Sequence, residues 1–205
     1  GAKNCTLHST CQWQKQEKIM EFKSKIKTIE WVDTYSKMVD QTVVPYEYKF
    51  VNITTGEDMF NAIRNMIVRG APAIGIAGAH GVILFAQEGA KEISSREEFI
   101  TWLLEKAEYM KTSRPTAVNL MWAVEKQEEI IKNSKSDING IIAELKANAI
   151  KLENEDIEIN KKIGDYGAEV VPKGATILTH CNAGALATVG YGTALGVVRS
   201  AYAKD

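Results

Sequence analysis

Two hundred and five residues, 45% hydrophobic and 25% charged, suit one large domain or two small ones with a real buried core. Twenty-five Lys and Arg nearly cancel 26 Asp and Glu, which excludes the basic surface of a nucleic-acid binder and an acidic tail. The most apolar stretch, residues 74–86, is broken by Gly75, Gly78, His80 and Gly81, so no membrane span is expected. The first residues lack a signal peptide's basic-then-apolar order, and three cysteines do not make a disulfide scaffold. A cytoplasmic protein is expected, with no membrane or nucleic-acid partner.

Residues 1–20 differ from the rest and read as an N-terminal arm or an expression remnant. Cys5, His8 and Cys11 lie there, but three ligands without a fourth match no closed zinc pattern, so no metal is expected. Residues 25–32 and 46–53, rich in β-branched and aromatic side chains with Pro45 between them, predict a small antiparallel meander. Thr55 to Asp58 resembles a capping box. Met59, Ile63, Met66 and Ile67 follow at helical spacing, and the helix is expected to stop at Arg69-Gly70.

Pro72 suits the first turn of the next helix, where an N–H has no intrahelical partner. Gly75, Gly78 and Gly81 weaken that helix, so something must pack against it very closely. Ser95 to Glu98 caps a helix reaching about residue 110, and Arg114-Pro115 breaks the chain before a helix over 117–131. A polar turn at 133–137 precedes a long amphipathic helix over 138–166, with Ile142, Leu145, Ala149, Leu152, Ile159 and Ile163 along one face. Residues 175–179 read as a buried strand, 180–184 as a sharp turn and 185–203 as a small-residue helix. That is how a parallel α/β sheet opens, and such sheets bind ligands at the carboxyl ends of their strands.

Three places could carry chemistry. Arg69, Gly70 and Ala71 put a cation at a helix entrance, which is an anion site, although glycines that merely permit packing explain the pattern equally well. Ile76-Ala77 stands where a nucleotide loop needs Lys-Ser/Thr, so this is not one. Arg114 precedes a second helix, and two such arginines suit one phosphate or phosphosugar. Cys181 follows the expected strand beside Asn182, where a helix N-terminus would favour thiolate or a strong S–H donor, although a small buried hydrophobe is the equal alternative. His80 and His180 are available, but a lone histidine on a small-residue helix is more often structural.

Residues 66–77 (MIVRGAPAIGIA), 113–124 (SRPTAVNLMWAV) and 178–194 (LTHCNAGALATVGYGTA), with Asp40-Gln41-Thr42 and Pro45 ahead of them, resemble the methylthioribose-1-phosphate isomerase family. That family shares a superfamily with the regulatory subunits of translation initiation factor 2B and with archaeal ribose-1,5-bisphosphate isomerase. The likeness spans about residues 26–202. It implies an α/β fold: a mixed N-terminal α+β domain over 21–135, a connecting helix over 136–170, and the start of a Rossmann-like parallel domain over 171–205, in a homodimer. It also implies a cofactor-free aldose–ketose isomerase of methionine salvage, which converts 5-methylthioribose 1-phosphate to 5-methylthioribulose 1-phosphate. Cys181 then stabilises the transition state, supported by Asn182, while Arg69, Gly70, Ala71 and Arg114 bind substrate. The resemblance places an acid–base aspartate downstream of the cysteine motif. The sequence ends at Asp205 without a match to it, so the front half of a longer enzyme is expected. The alternatives are a non-catalytic binding subunit like the initiation-factor relatives, in which these motifs tend to blur, and a ribose-1,5-bisphosphate isomerase.

Overall fold

The computed structural model describes residues 27–204. The N-terminal arm, with Cys5, His8 and Cys11, lies outside the described residues, as does Asp205. Three strands, β1 (Ile29–Val32), β2 (Tyr35–Val39) and β3 (Phe50–Ile53), form an antiparallel sheet in the order β1-β2-β3. Met38 pairs with Ile29 on one side and Val51 on the other, and Ile29 and Met38 are fully buried. The meander is therefore as expected, with β2 as the strand that the propensity reading passed over.

The helices follow their capping signals. α1 (Gly56–Arg64) starts where the Thr55 hydroxyl accepts the Asp58 N–H at 3.0 Å. It stops sooner than its apolar spacing suggests, because Met66 turns left-handed (φ 62°). The chain then folds back, Ile67 N–H donates to the Ala62 carbonyl, and Val68 becomes buried. α2 (Ala71–Glu92) follows, then α3 (Arg96–Lys111) capped by Ser95. Next come α4 (Val118–Asn133) and α5 (Ile138–Glu169), whose Asp137 cap accepts the Gly140 N–H at 2.8 Å. Arg96 stitches the polar turn between α4 and α5 to α3 by donating to the Ser134 and Ser136 carbonyls. No described helix is long and apolar enough to cross a membrane.

α2 is the axis of the bundle, with every residue from Ala73 to Ala86 buried. A Cβ on Gly75 would sit 2.9 Å from the Asn119 backbone carbonyl of α4, and one on Gly78 would be 2.4 Å from Leu120 Cδ1. The close packing expected from the glycines is present. His80, also fully buried, lies where α2 meets the sheet and α5. Its Nδ1 is 2.9 Å from Ser36 Oγ, and its ring meets Trp31 edge-on at 5.3 Å. Its Nε2 is 2.9 Å from Glu153 Oε1, close but not aligned as a hydrogen bond, and that oxygen accepts the Trp31 N–H at 2.8 Å. His80 is accordingly a structural residue.

Three expectations for the later half need correction. Residues 175–179 form no strand: the segment is extended, Leu178 is 96% exposed, and no described strand lies beside it to complete a ladder. The helix expected over 185–203 is instead a single 3-10 turn (Ala185–Ala187), a loop and α6 (Ala194–Lys204). Thr188 Oγ1 accepts the Gly192 N–H at 3.0 Å, and Gly192 takes φ 86°, which an α-helix cannot accommodate. Finally, Ile159 and Ile163 leave the apolar stripe of α5 and are largely exposed. Along this part of α5 the buried positions are Asn160, Gly164 and Ala168, and a Cβ on Gly164 would meet Ser200 Oγ of α6 at 2.6 Å. The small residues, one step round the helix, are what α6 packs on.

Replacing Gly75 by Ala should cost about 1–3 kcal/mol of stability by overpacking against the α4 backbone, despite alanine's higher helix propensity. Gly81→Ala should cost less, because its nearest neighbour is the flexible end of Met110. Urea midpoints of the two variants check this; equal midpoints would contradict it.

Candidate functional site

The residues singled out from the sequence fall at three joints of the fold. Arg69 is exposed on the segment leading into α2, and Gly70 caps that helix with φ 94°. Gly70 does more than permit a turn: a Cβ there would lie 2.3 Å from Ala187 Cα. Only glycine lets the entrance of α2 rest on the 3-10 turn. Ala71 opens α2 and is exposed. Arg114 is half-buried in the loop before α4, where its carbonyl accepts the Ala117 N–H at 3.0 Å. Since Gly75 packs on the Asn119 carbonyl, the first turns of α2 and α4 lie against each other.

Cys181 is exposed and left-handed (φ 68°), with Asn182 exposed beside it. The sequence suggests a thiol at the mouth of an α-helix, but the 3-10 turn and the glycine loop displace that helix to Ala194. The N-terminus of α6 is still tied to the cysteine turn. The Ala183 carbonyl, two residues past Cys181, accepts the Leu195 N–H at 3.1 Å and the Thr193 hydroxyl at 3.3 Å.

The stretch after Cys181 is held from three sides. Thr28 Oγ1 donates to the Ala185 carbonyl at 2.8 Å, and Thr28 N–H to the Val189 carbonyl at 2.7 Å. Gln41 Nε2 donates to the Leu186 carbonyl at 2.7 Å. From α5, Asp156 Oδ2 accepts the Val189 N–H at 2.7 Å. Through these bonds, and through Gly70 resting on Ala187, the segments flanking the meander, the entrance of α2 and the middle of α5 all meet the turn that follows the cysteine. Gly70 and the 184–189 turn are thus in direct contact, whereas no described contact joins Arg114 to either.

Beside this junction lies a cavity of about 310 Å³ between α2, α4 and α5. Its lining includes Pro72 and Asn119, from the first turns of α2 and α4, and Thr193. Asp156 and Asn160 line it, and the sequence reading missed both. Their spacing, four apart on α5, places both on one face, but the many other charged residues of that helix leave the pair without a distinct signal. Burial pushes the Asp156 carboxyl above the ordinary carboxylate range, against the opposing pull of the Val189 N–H and the Asn160 amide. Among the described residues, no group of His, Cys, Asp and Glu could hold a metal ion.

Because the folded chain holds the Asp156 proton more tightly, the unfolded chain releases it first, near pH 3.8. Between there and the raised folded-state value the native state binds more protons, so this group's contribution to stability falls as pH rises. Asp156→Asn should remove that fall. Urea stability of both proteins across the window above pH 3.8 should therefore diverge with rising pH, and parallel curves would count against it.

The initiation factor 2 subunit family model matches residues 67–205. The methylthioribose-1-phosphate isomerases of Geotalea uraniireducens (strain Rf4) and Thermoanaerobacter sp. (strain X514) are each 49% identical over 179 residues, or 86% and 87% of this chain. The chain spans about half the length of these curated relatives, 51% in both cases. Among solved structures, 5-methylthioribose 1-phosphate isomerase from Pyrococcus horikoshii OT3 superposes with a TM-score of 0.81 at 39% identity. That match covers 88% of this chain and 51% of the other. The delta subunit of translation initiation factor eIF-2B from A. fulgidus gives a TM-score of 0.76 at 40% identity, covering 87% and 52%.

Proposed function

The chain belongs to the initiation factor 2 subunit family, and from that premise we propose that it carries the phosphosugar-binding half of an aldose–ketose isomerase. The reaction is the conversion of 5-methylthioribose 1-phosphate to 5-methylthioribulose 1-phosphate, the substrate that the relatives' names specify. The observation that carries this reading is the meeting of two helix entrances. α2 and α4 begin side by side, their first turns contributing Pro72 and Asn119 to the lining of one cavity, and each helix is preceded in the chain by an arginine, Arg69 and Arg114. Their free N–H groups and positive dipole ends favour an anion, and a guanidinium adds forked, charge-assisted donors. The adjoining turn carries an exposed thiol, Cys181.

In this proposal Arg69, the N–H groups of Gly70 and Ala71, and Arg114 hold the 1-phosphate. A sugar phosphorylated on its anomeric carbon cannot open by ordinary mutarotation, so the ring oxygen must be protonated as the ring bond breaks. A hydrogen then moves from C2 to C1 and the C2 hydroxyl gives up its proton to become the ketone. This balances the proton taken up by the ring oxygen and leaves the overall oxidation level unchanged. Charge develops on the substrate oxygens during that transfer, and fixed donors are the most effective way to stabilise it. Cys181 serves as such a donor, with Asn182 supporting it. The resemblance assigns the proton donor to an aspartate downstream of the cysteine motif, so the reaction is assayed in a chain of the relatives' full length as well as in the 205-residue chain. The same reading makes the protein a cytoplasmic homodimer acting on a small phosphosugar, with an N-terminal α+β domain over 21–135 linked by residues 136–170 to the start of a Rossmann-like parallel α/β domain over 171–205.

Calorimetric titration of 5-methylthioribose 1-phosphate tests the binding half of the proposal. Arg69→Ala should weaken affinity by about 1.5–3 kcal/mol, as for hydrogen bonds to charged groups; unchanged affinity would remove Arg69 from the site. Ribose 1,5-bisphosphate titrated under the same conditions separates the related isomerase, since it should bind more tightly only if a second phosphate is accommodated.

Cys181→Gly tests the chemical half in the full-length form. Glycine adopts positive φ without the steric cost that a Cβ brings, so thermal stability should hold or rise while turnover falls steeply. Full turnover in that variant would show that the thiol has no chemical role.

A further inference from the structure

We propose that the cavity between α2, α4 and α5 selects the substrate's 5-substituent, seating an apolar thioether arm and accepting a hydrogen bond from a sugar hydroxyl. The inference rests on the phosphosugar reading above and adds to it the orientation of the ligand and the source of its specificity. Three large apolar side chains, Trp122, Ile159 and Ile163, line this cavity while being 47%, 55% and 43% exposed. The core does not account for their position, because α5 packs on α6 through its small residues instead. Apolar surface gathered in one concavity, rather than scattered, marks a place where a ligand is covered.

Asn160 supplies the independent polar signal. It is 2% exposed, it lines the cavity, and its Oδ1 has no hydrogen-bond partner. Its amide orientation is fixed, since Nδ2 donates to both the Asp156 carbonyl (2.8 Å) and Asp156 Oδ1 (3.0 Å). A buried acceptor without a donor costs free energy that a ligand O–H or N–H would recover. A hydroxyl of the sugar ring is such a donor.

Charge fixes the orientation. Glu155 and Asp156 stand on the α5 wall, so a phosphate is disfavoured at that end. The first turns of α2 and α4, which line the cavity through Pro72 and Asn119, bring helix N-termini to it instead, which favour a phosphate. With phosphate at those helix entrances and a hydroxyl at Asn160, the 5-position of the sugar is directed toward Trp122 and the two isoleucines. A thioether fits there on two counts. It is apolar, and sulfur makes favourable contacts with aromatic rings. A 5-hydroxyl in its place would lose its hydration against those walls without a partner.

The test is a pair of titrations of the 205-residue chain, with 5-methylthioribose 1-phosphate and with ribose 1-phosphate, read by the indole N–H resonance of Trp122 (assigned through Trp122→Phe). The Trp122 resonance should shift with the methylthio sugar, and ribose 1-phosphate should bind about ten-fold more weakly, the scale on which a hydrophobic pocket discriminates. Ile163→Ser, at an exposed position that leaves the core intact, should abolish that preference, weakening binding of the methylthio sugar while offering the 5-hydroxyl of ribose 1-phosphate a partner. Equal affinity for the two sugars with an unmoved Trp122 resonance would overturn the pocket assignment and leave the phosphosugar reading standing. Binding of neither sugar would overturn both.

Discussion

The rest of the structure depends on the approach of α2 to α4, closer than side chains allow. A helix buried from Ala73 to Ala86 has no solvent face to relax into, so its neighbours must conform to it. Gly75 and Gly78 bring the α4 backbone and Leu120 against it, and Gly81 admits Met110 of α3 and Met59 of α1. The two helix entrances line one cavity side by side because Gly75 lies on the Asn119 carbonyl. A side chain at position 75 would part them, and with them the two arginines argued to share one phosphate. The packing of the core and the geometry of the proposed anion site are the same constraint met at two depths.

α5 complements this with polar contacts. Glu153, Asp156 and Asn160 occupy positions i, i+3 and i+7, which fall on one helix face. Each has a different part: Glu153 receives the Trp31 N–H beside His80, Asp156 receives the Val189 N–H, and Asn160 lines the cavity with an amide oxygen that has no hydrogen-bond partner. In this way a single helix face ties the meander to the bundle, fastens the turn after Cys181, and contributes a wall of the pocket. The raised affinity of Asp156 for its proton follows from that position, since a carboxyl that fastens a buried turn cannot also be well hydrated.

Local signals read true wherever the structure is locally determined. Thr55 and Ser95 cap the helices their spacing suggests, Asp137 closes the expected polar turn as a cap, and the glycines of α2 announce a close neighbour without identifying it. The three motifs marked Arg69, Arg114 and Cys181, but nothing in their spacing could show that Gly70 rests on Ala187. Residues 175–179 misled because β-branched composition reports a tendency, whereas a strand exists only with a partner to bond. The helix expected over 185–203 failed for the opposite reason: small residues suit a helix and a glycine loop equally, and the Thr188 to Gly192 bond decides for the loop. Asp156 and Asn160 escaped notice because a polar residue on a long amphipathic helix ordinarily faces water. Their burial follows from α6 and the 184–189 turn, which come later in the chain.

The glycines that let α2 pack so closely also shape how the chain acquires its structure. Three interior glycines, each about 1 kcal/mol poorer than alanine, leave this segment with little tendency to coil into a helix alone. α2 therefore has to form together with α1, α3, α4 and α5, and the bundle gains its order in one cooperative step. The 184–193 turn is fastened by a handful of hydrogen bonds from Thr28, Gln41 and Asp156 instead. Val189, fully buried in the same core, and Ala187 against Gly70 join it to the bundle as well, so the segment bearing Cys181 is placed relative to the two arginine-led entrances by packing as much as by hydrogen bonds.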